Sequence, residues 1–204
     1  MEKWMVSAKK ADFQKLAAEF GIDPVTARLI RNRDIVGEEA MREYLYGDLT
    51  WLHDPHLLED MDRSEPALRE KLRILQEKIR GGKKIRVIGD YDIDGVNASY
   101  ILLTGLLRCG ALADVDIPDR IRDGYGLNEH LIELAAEAEV DTIITCDNGI
   151  AAVQEIAQAK ALGMTVIVTD HHEPQEVLPP ADALINPKQP DCPYPYKSLC
   201  GAAV

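Results

Sequence analysis

Short runs dominated by apolar and β-branched residues alternate along this chain with segments of helical period, and that alternation leaves little choice of fold. Ile85-Arg86-Val87-Ile88-Gly89, Thr142-Ile143-Ile144-Thr145-Cys146 and Thr165-Val166-Ile167-Val168-Thr169 have the length and β-branched content of buried strands. Weaker strands are predicted near 114–117 and at Ala183–Ile185, and helices over about 96–109, 128–138 and 151–162. Strand and helix in this order predict an α/β fold, a parallel sheet flanked by helices on both faces with right-handed crossovers. In such a sheet ligands bind outside the carboxyl ends of the strands.

Those strand ends carry the chemistry. The first strand runs into Asp90-Tyr91-Asp92-Ile93-Asp94-Gly95, the second into Asp147-Asn148-Gly149, the third into Asp170-His171-His172. Carboxylates and imidazoles gathered in one crevice repel unless cations lie between them, so the chain reads as a metal-dependent enzyme. Each cluster also has a plainer reading. The aspartates after the first strand would cap the next helix, and Asp-Asn-Gly is an ordinary turn. Asp90-x-Asp92-x-Asp94-Gly95 further opens like a calcium-binding EF-hand loop. That loop follows a helix and needs Glu at its twelfth position, whereas here a strand precedes and Ile101 falls there. Three aspartates at alternate positions exceed what a cap requires. Adjacent histidines suit one metal ligand and one substrate contact, with Asp170 behind them to orient an imidazole.

Composition narrows the class. With 204 residues, 46% of them hydrophobic, the chain can bury a core. Its formal net charge of −12 argues against coating nucleic acid by bulk electrostatics, but not against a nuclease whose clustered acids hold cations. Lys71, Arg73, Lys78, Arg80, Lys83, Lys84 and Arg86 gather before the first strand end and read most simply as a solvated charged face. No apolar run reaches the length of a membrane span and the opening residues lack a signal peptide, so no membrane contact and a cytoplasmic location are expected. Cys109, Cys146, Cys192 and Cys200 read as free thiols, since the spacing of Cys192 and Cys200 is not that of a zinc ribbon or finger. Residues 1–60 form a helical lead-in, with Asp12 capping a helix to Phe20, Pro24 starting one after Asp23, and Gly37 preceding one at Glu38–Tyr46. A loop at Asp54–Asp62 follows, then a helix from Glu65 to Ile79 with Leu68, Leu72, Leu75 and Ile79 on one face, stopped by Gly81 and Gly82. Residues 61–204 make the α/β domain, closing on a proline-rich loop from Asn186 to Cys200. The apolar ending Gly201–Val204 predicts a chain cut from a longer parent.

Asp90-Tyr-Asp-Ile-Asp-Gly95, Ile117-Pro-Asp-Arg120, Asp123-Gly-Tyr-Gly-Leu127, Thr145-Cys-Asp-Asn-Gly-Ile150, Thr169-Asp-His-His-Glu173, Asn186-Pro-Lys188 and Cys192-Pro-Tyr-Pro, in this order, resemble the DHH phosphoesterase superfamily. Within it they look most like the branch of single-strand-specific 5′ to 3′ exonucleases, along the chain from about residue 80. The resemblance implies two divalent cations, Mn²⁺ first and Mg²⁺ as the alternative, hydrolysing a phosphodiester. It implies Asp92 and Asp94 as ligands, Asp90 as a further ligand or a group just behind them, Asp147 as the carboxylate bridging both ions and His171 as a ligand. His172 would touch the scissile phosphate and Arg120 hold a phosphate oxygen; the family commonly has Asn where this chain has Asp119. The implied partner of the parent is single-stranded DNA, in repair and recombination; no protein partner is implied. The family's last aspartate ligand and its DHHA1 domain would lie beyond Val204, which predicts weak metal binding and little nuclease activity for these 204 residues alone. Two rival readings share the fold: a phosphodiesterase for short oligonucleotides or cyclic-dinucleotide products, and a non-catalytic nucleic-acid-binding relative without metals.

Overall fold

The computed structural model describes residues 9–58 and 66–204, in two compact units that divide between Leu52 and His53. The predicted loop at Asp60–Asp62, the predicted helix start at Glu65 and the packing expected of Leu68 and Leu72 lie outside the described residues.

The first unit is helical as expected. Helices α1 (Phe13–Phe20), α2 (Pro24–Asn32) and α3 (Glu38–Tyr46) bury Phe20, Ile30 and Met41 together. Asp12 caps α1 by accepting from the Lys15 N–H, and Asp23 caps α2 by accepting from Val25, with Pro24 in the first helical position.

The second unit holds α4 (Pro66–Arg80), β1 (Lys84–Ile88), α5 (Ile93–Arg108), β2 (Leu112–Asp116), α6 (Glu129–Glu137), β3 (Thr142–Cys146), α7 (Val153–Ala161), β4 (Thr165–Thr169) and β5 (Ala183–Ile185). The strands pair in parallel in the order β2-β1-β3-β4-β5. The alternation of side chains divides the sheet into two faces. Ile85, Val87, Ile144, Cys146 and Ile167 pack with Ala98 and Leu106 of α5 and with Leu75 and Ile79 of α4. Ile88, Ile143, Val166 and Val168 pack with Leu131, Ile132 and Ala135 of α6 and with Ile156 and Ala159 of α7. Each wholly buried isoleucine or valine contributes about 1.5–3 kcal/mol relative to leaving it in water.

Two boundaries differ from the sequence reading. Helix α5 begins at Ile93, three residues before the expected start, because Asp92 caps it by accepting from the Asp94 and Gly95 N–H groups at 2.8 and 3.0 Å. Strand β2 begins at Leu112 and ends at Asp116; it is an edge strand with Leu112 and Val115 exposed, so its apolar pattern is weak. Among the described residues no helix is long and apolar enough to cross a membrane.

Candidate metal centre

Parallel register does the assembling. Ile88 of β1 lies beside Thr145 of β3, Cys146 beside Thr169 of β4, and Thr169 beside Ile185 of β5. Carried one or two residues further, Asp90, Asp147, Asp170 and Asn186 come to one level at the carboxyl end of the sheet. Asp90, Asp147 and Asp170 are 1%, 2% and 1% exposed, so three carboxylates sit side by side out of water. Gly95 lets the first turn of α5 close over the end of β1, because a Cβ there would overlap the Asp90 backbone, 2.6 Å from its nitrogen.

Two sets of potential ligand atoms converge, Asp90 with Asp92 and Asp147, and Asp147 with His171 and His172. Asp147 belongs to both. Its φ of 60° is left-handed, a conformation that costs a non-glycine residue about 1–3 kcal/mol and that collects at functional sites. The Asp147 Oδ1 and Asp90 Oδ1 atoms are buried and accept no hydrogen bond. Burial first, then the neighbouring Asp94 and Asp92, push the Asp147 carboxyl up to about 7.

The two histidines are held differently. His171 Nδ1 lies 2.8 Å from the Leu199 carbonyl, which only accepts, so Nδ1 carries the hydrogen. Nε2 of the neutral ring then presents a lone pair 3.0 Å from Asp147 Oδ1 and 3.7 Å from Asp94 Oδ2. Lone pairs facing one another at that distance repel unless a proton or a metal cation joins them, and carboxylate oxygens with one imidazole nitrogen are a donor set for a divalent metal such as Mn²⁺. His172 is oriented by Asp170, whose Oδ1 accepts from His172 Nδ1 at 2.7 Å and from the His171 and His172 backbone N–H groups. The other Asp170 oxygen accepts from the Ile150 N–H. Asp170 therefore sets His172, while a main-chain carbonyl sets His171.

Asp94 stands apart from the two ligand sets. Its oxygens accept from the Gly201 and Ala202 N–H groups at 2.6 and 2.7 Å, although Oδ2 still faces His171. Arg120 is exposed, and its guanidinium lies 5.3 Å from the ring centre of Tyr91. Tyr91 meets Tyr125 edge-on at 6.3 Å, and Tyr125 meets His172 at 5.9 Å, so two aromatic rings connect Arg120 to the centre. Asp119 organises this loop by accepting from the Ile121 and Arg122 N–H groups, a role asparagine's side-chain oxygen fills equally well.

Sequence reasoning missed Tyr91 and Tyr125. The Tyr125 hydroxyl lies 3.1 Å from His172 Nε2 and 3.3 Å from the Asp147 carbonyl, and burial followed by the charge of Asp90 raises its pKa well above the usual phenol range. The Asp-Gly-Tyr-Gly stretch was the available signal. Asn148 serves as a tie: its Nδ2 donates to the Ile88 and Cys146 carbonyls and locks β1 to β3. The four cysteines are free, with Cys146 and Cys192 buried.

The profile of the DHH family, N-terminal domain, matches residues 84–204, the part that builds this centre. The chain is 39% identical over 203 residues to the single-stranded-DNA-specific exonuclease RecJ of Bacillus subtilis, covering 99% of this chain and 25% of that protein. Against RecJ of Escherichia coli it is 32% identical over 185 residues, covering 90% and 30%. It thus spans between a quarter and a third of the length of these relatives. Among solved structures, exonuclease RecJ bound to manganese superposes with a TM-score of 0.61 at 38% identity, over 68% of this chain and 35% of that one. RecJ from Thermus thermophilus in complex with Mn²⁺ gives 0.60 at 30% identity, over 94% and 25%. The resemblance drawn from the strand-end motifs holds: this chain belongs to the DHH family.

Proposed function

We propose that residues 61–204 provide the metal-dependent centre of a phosphodiester hydrolase, a 5′ to 3′ exonuclease on single-stranded DNA in a protein of the relatives' length, acting in repair and recombination. Residues 1–60 are its helical lead-in. The observation that carries this reading is Asp147: a buried carboxylate oxygen without a hydrogen bond, shared by two convergent ligand sets and facing an imidazole lone pair. Asp90, Asp92 and Asp147 would hold one divalent cation and Asp147, His171 and Asp94 a second, Mn²⁺ first and Mg²⁺ as the alternative. Bound there, the pair supplies an activated water and stabilises the charge that develops on the phosphate oxygens.

The protein's own groups do the rest. Asp170 fixes the His172 ring so that Nε2 faces the cleft, where it would meet the scissile phosphate. Tyr125, bonded to that nitrogen, holds it until substrate arrives. Arg120, steadied by Tyr91, reaches for a phosphate oxygen with paired N–H groups. Beside His172 a cleft of about 230 Å³ runs past Tyr125, Gly126 and Gly149, which leaves room for the strand next to the reacting phosphate.

Mn²⁺ titration of the chain, joined to digestion of 5′-labelled single strands by the longer protein, tests the reading. Metal uptake and short products released from the 5′ end support it. A chain that takes up no metal, or a protein that cleaves only free dinucleotides or pyrophosphate, overturns it.

A further inference from the structure

Three of the proposed ligands depend on one short stretch of main chain. The Leu199 carbonyl accepts from His171 Nδ1 and so selects the ring form whose Nε2 lone pair faces the centre. Two residues on, the Gly201 and Ala202 N–H groups point at the two oxygens of Asp94, at 2.6 and 2.7 Å. They begin a 3₁₀ turn over Gly201–Ala203, and Asp94 accepts from these two otherwise unpaired N–H groups. Gly201 is buried, and no positive φ explains its being glycine. Contact does: a Cβ at this position would overlap Asp147 Oδ1 and lie 2.7 Å from both Asp147 Cβ and Cγ. Real Cβ atoms do not approach that closely, so any larger residue must displace either the turn or the shared carboxylate.

We infer that Leu199–Ala202 is the positioning strap of the metal centre, with Gly201 the positioning residue that leaves the Asp147 carboxylate its place while the adjoining amides aim Asp94. This inference rests on the metal-dependent reading above. The strap touches no substrate in this role; it acts through Asp94, Asp147 and His171. The arrangement also explains why a carboxylate outside the two convergent sets still faces His171. Its direction is set by main-chain donors, which no side-chain substitution elsewhere can supply.

The test is Mn²⁺ titration of the 204-residue chain in its native form and as Gly201→Ala, Ala202→Pro and Cys109→Ala, with thermal melting of each in chelator. Removing groups that orient ligands typically weakens metal binding about 10–100-fold. Gly201→Ala, and Ala202→Pro, which deletes one N–H to Asp94, are expected to lose at least about tenfold in affinity, while exposed Cys109→Ala, outside the strap, stays within about twofold. Melting separates positioning from bulk damage. Gly201→Ala is expected to lower the metal-free melting temperature in the native background and to leave it unchanged in an Asp147→Gly background, since the clash reaches the Asp147 Cβ that only glycine removes. Equal losses in both backgrounds, or Gly201→Ala affinity within twofold of native, overturn the positioning role while the metal-dependent reading stands. No Mn²⁺ uptake by the native chain overturns that reading and the role with it.

Discussion

Both ends of one sheet are rich in charge, yet they treat it in opposite ways. Toward the amino ends of the strands acids meet bases. Arg86 holds Asp114 through two bonds of 2.8 and 2.9 Å, Lys84 lies 3.6 Å away, and Lys78 and Lys83 both face Asp141. The Arg86 hydrogen bonds pull the Asp114 carboxyl below its ordinary value. Burial alone would raise Asp141, but the hydrogen bond and charge of Lys78 outweigh it, and that group too is lowered. At the carboxyl ends Asp90, Asp92, Asp94, Asp147 and Asp170 gather, and none of them has a lysine or arginine in its ion pairs among the described residues. There Asp147 is driven the other way, up to about 7. A sheet that pairs Asp114 and Asp141 with bases and leaves these five aspartates without lysine or arginine suits its carboxyl end to a cation from outside.

Substitution at Asp147 puts the largest strain on this comparison. Asp147→Ala is expected to abolish turnover in the longer protein and to weaken Mn²⁺ binding by more than about 100-fold, beyond the effect of losing an orienting group. Arg120→Ala should cost far less; similar, mild effects of the two would remove the shared-carboxylate assignment. The histidines come next. His171→Ala should lower Mn²⁺ affinity by about tenfold or more, whereas His172→Ala should fall mainly on turnover. Titration and single-turnover rates of both variants would reverse the two roles if the losses fell the other way round.

Stability against pH gives the two ends opposite signs. Asp147 binds its proton up to about pH 7 in the folded chain and only to about its ordinary 3.8 when unfolded. Between those values the folded state holds more protons, so metal-free stability should fall as pH rises through this window. Asp147→Asn should flatten that fall and raise the metal-free melting temperature at pH 8. Asp114 is the reverse case: its stabilisation is present above 3.8 and is lost as pH drops through its lowered folded value. Asp114→Asn should therefore destabilise at neutral pH, the smallest effect of the series at about 1 kcal/mol or less, and leave Mn²⁺ affinity unchanged. Denaturant unfolding of the chelated variants between pH 3.8 and about 7 reads the Asp147 sign, and below pH 3.8 the Asp114 sign. Slopes of the same sign would mean that the ends do not differ as described.

The basic run from Arg73 to Arg86 shows how far a pattern in sequence can carry. The run read as a solvated face, and several of its members do remain at the surface. What the pattern did not contain was the partners, since Lys78 meets Asp141 and Arg86 meets Asp114 across strand crossovers of about 60 and 30 residues. Tyr125 was hidden for the same reason: its contact with His172 spans 47 residues and depends on where two loops rise from neighbouring strands.

By itself the sequence determined the alternation of strands and helices, the caps at Asp12 and Asp23, and the three strand ends that bear the ligands. These are local properties, set by β-branched runs, side-chain oxygens near free N–H groups and turn residues, and they hold whatever lies elsewhere. Tertiary structure decided the rest. It chose the strand order that puts Asp90 and Asp170 on either side of Asp147, gave His171 to a main-chain carbonyl and His172 to Asp170, and turned Asp94 toward Gly201. Each of these depends on groups distant in the chain meeting within about 3 Å, a distance that sheet register and crossover handedness set and that no local preference encodes.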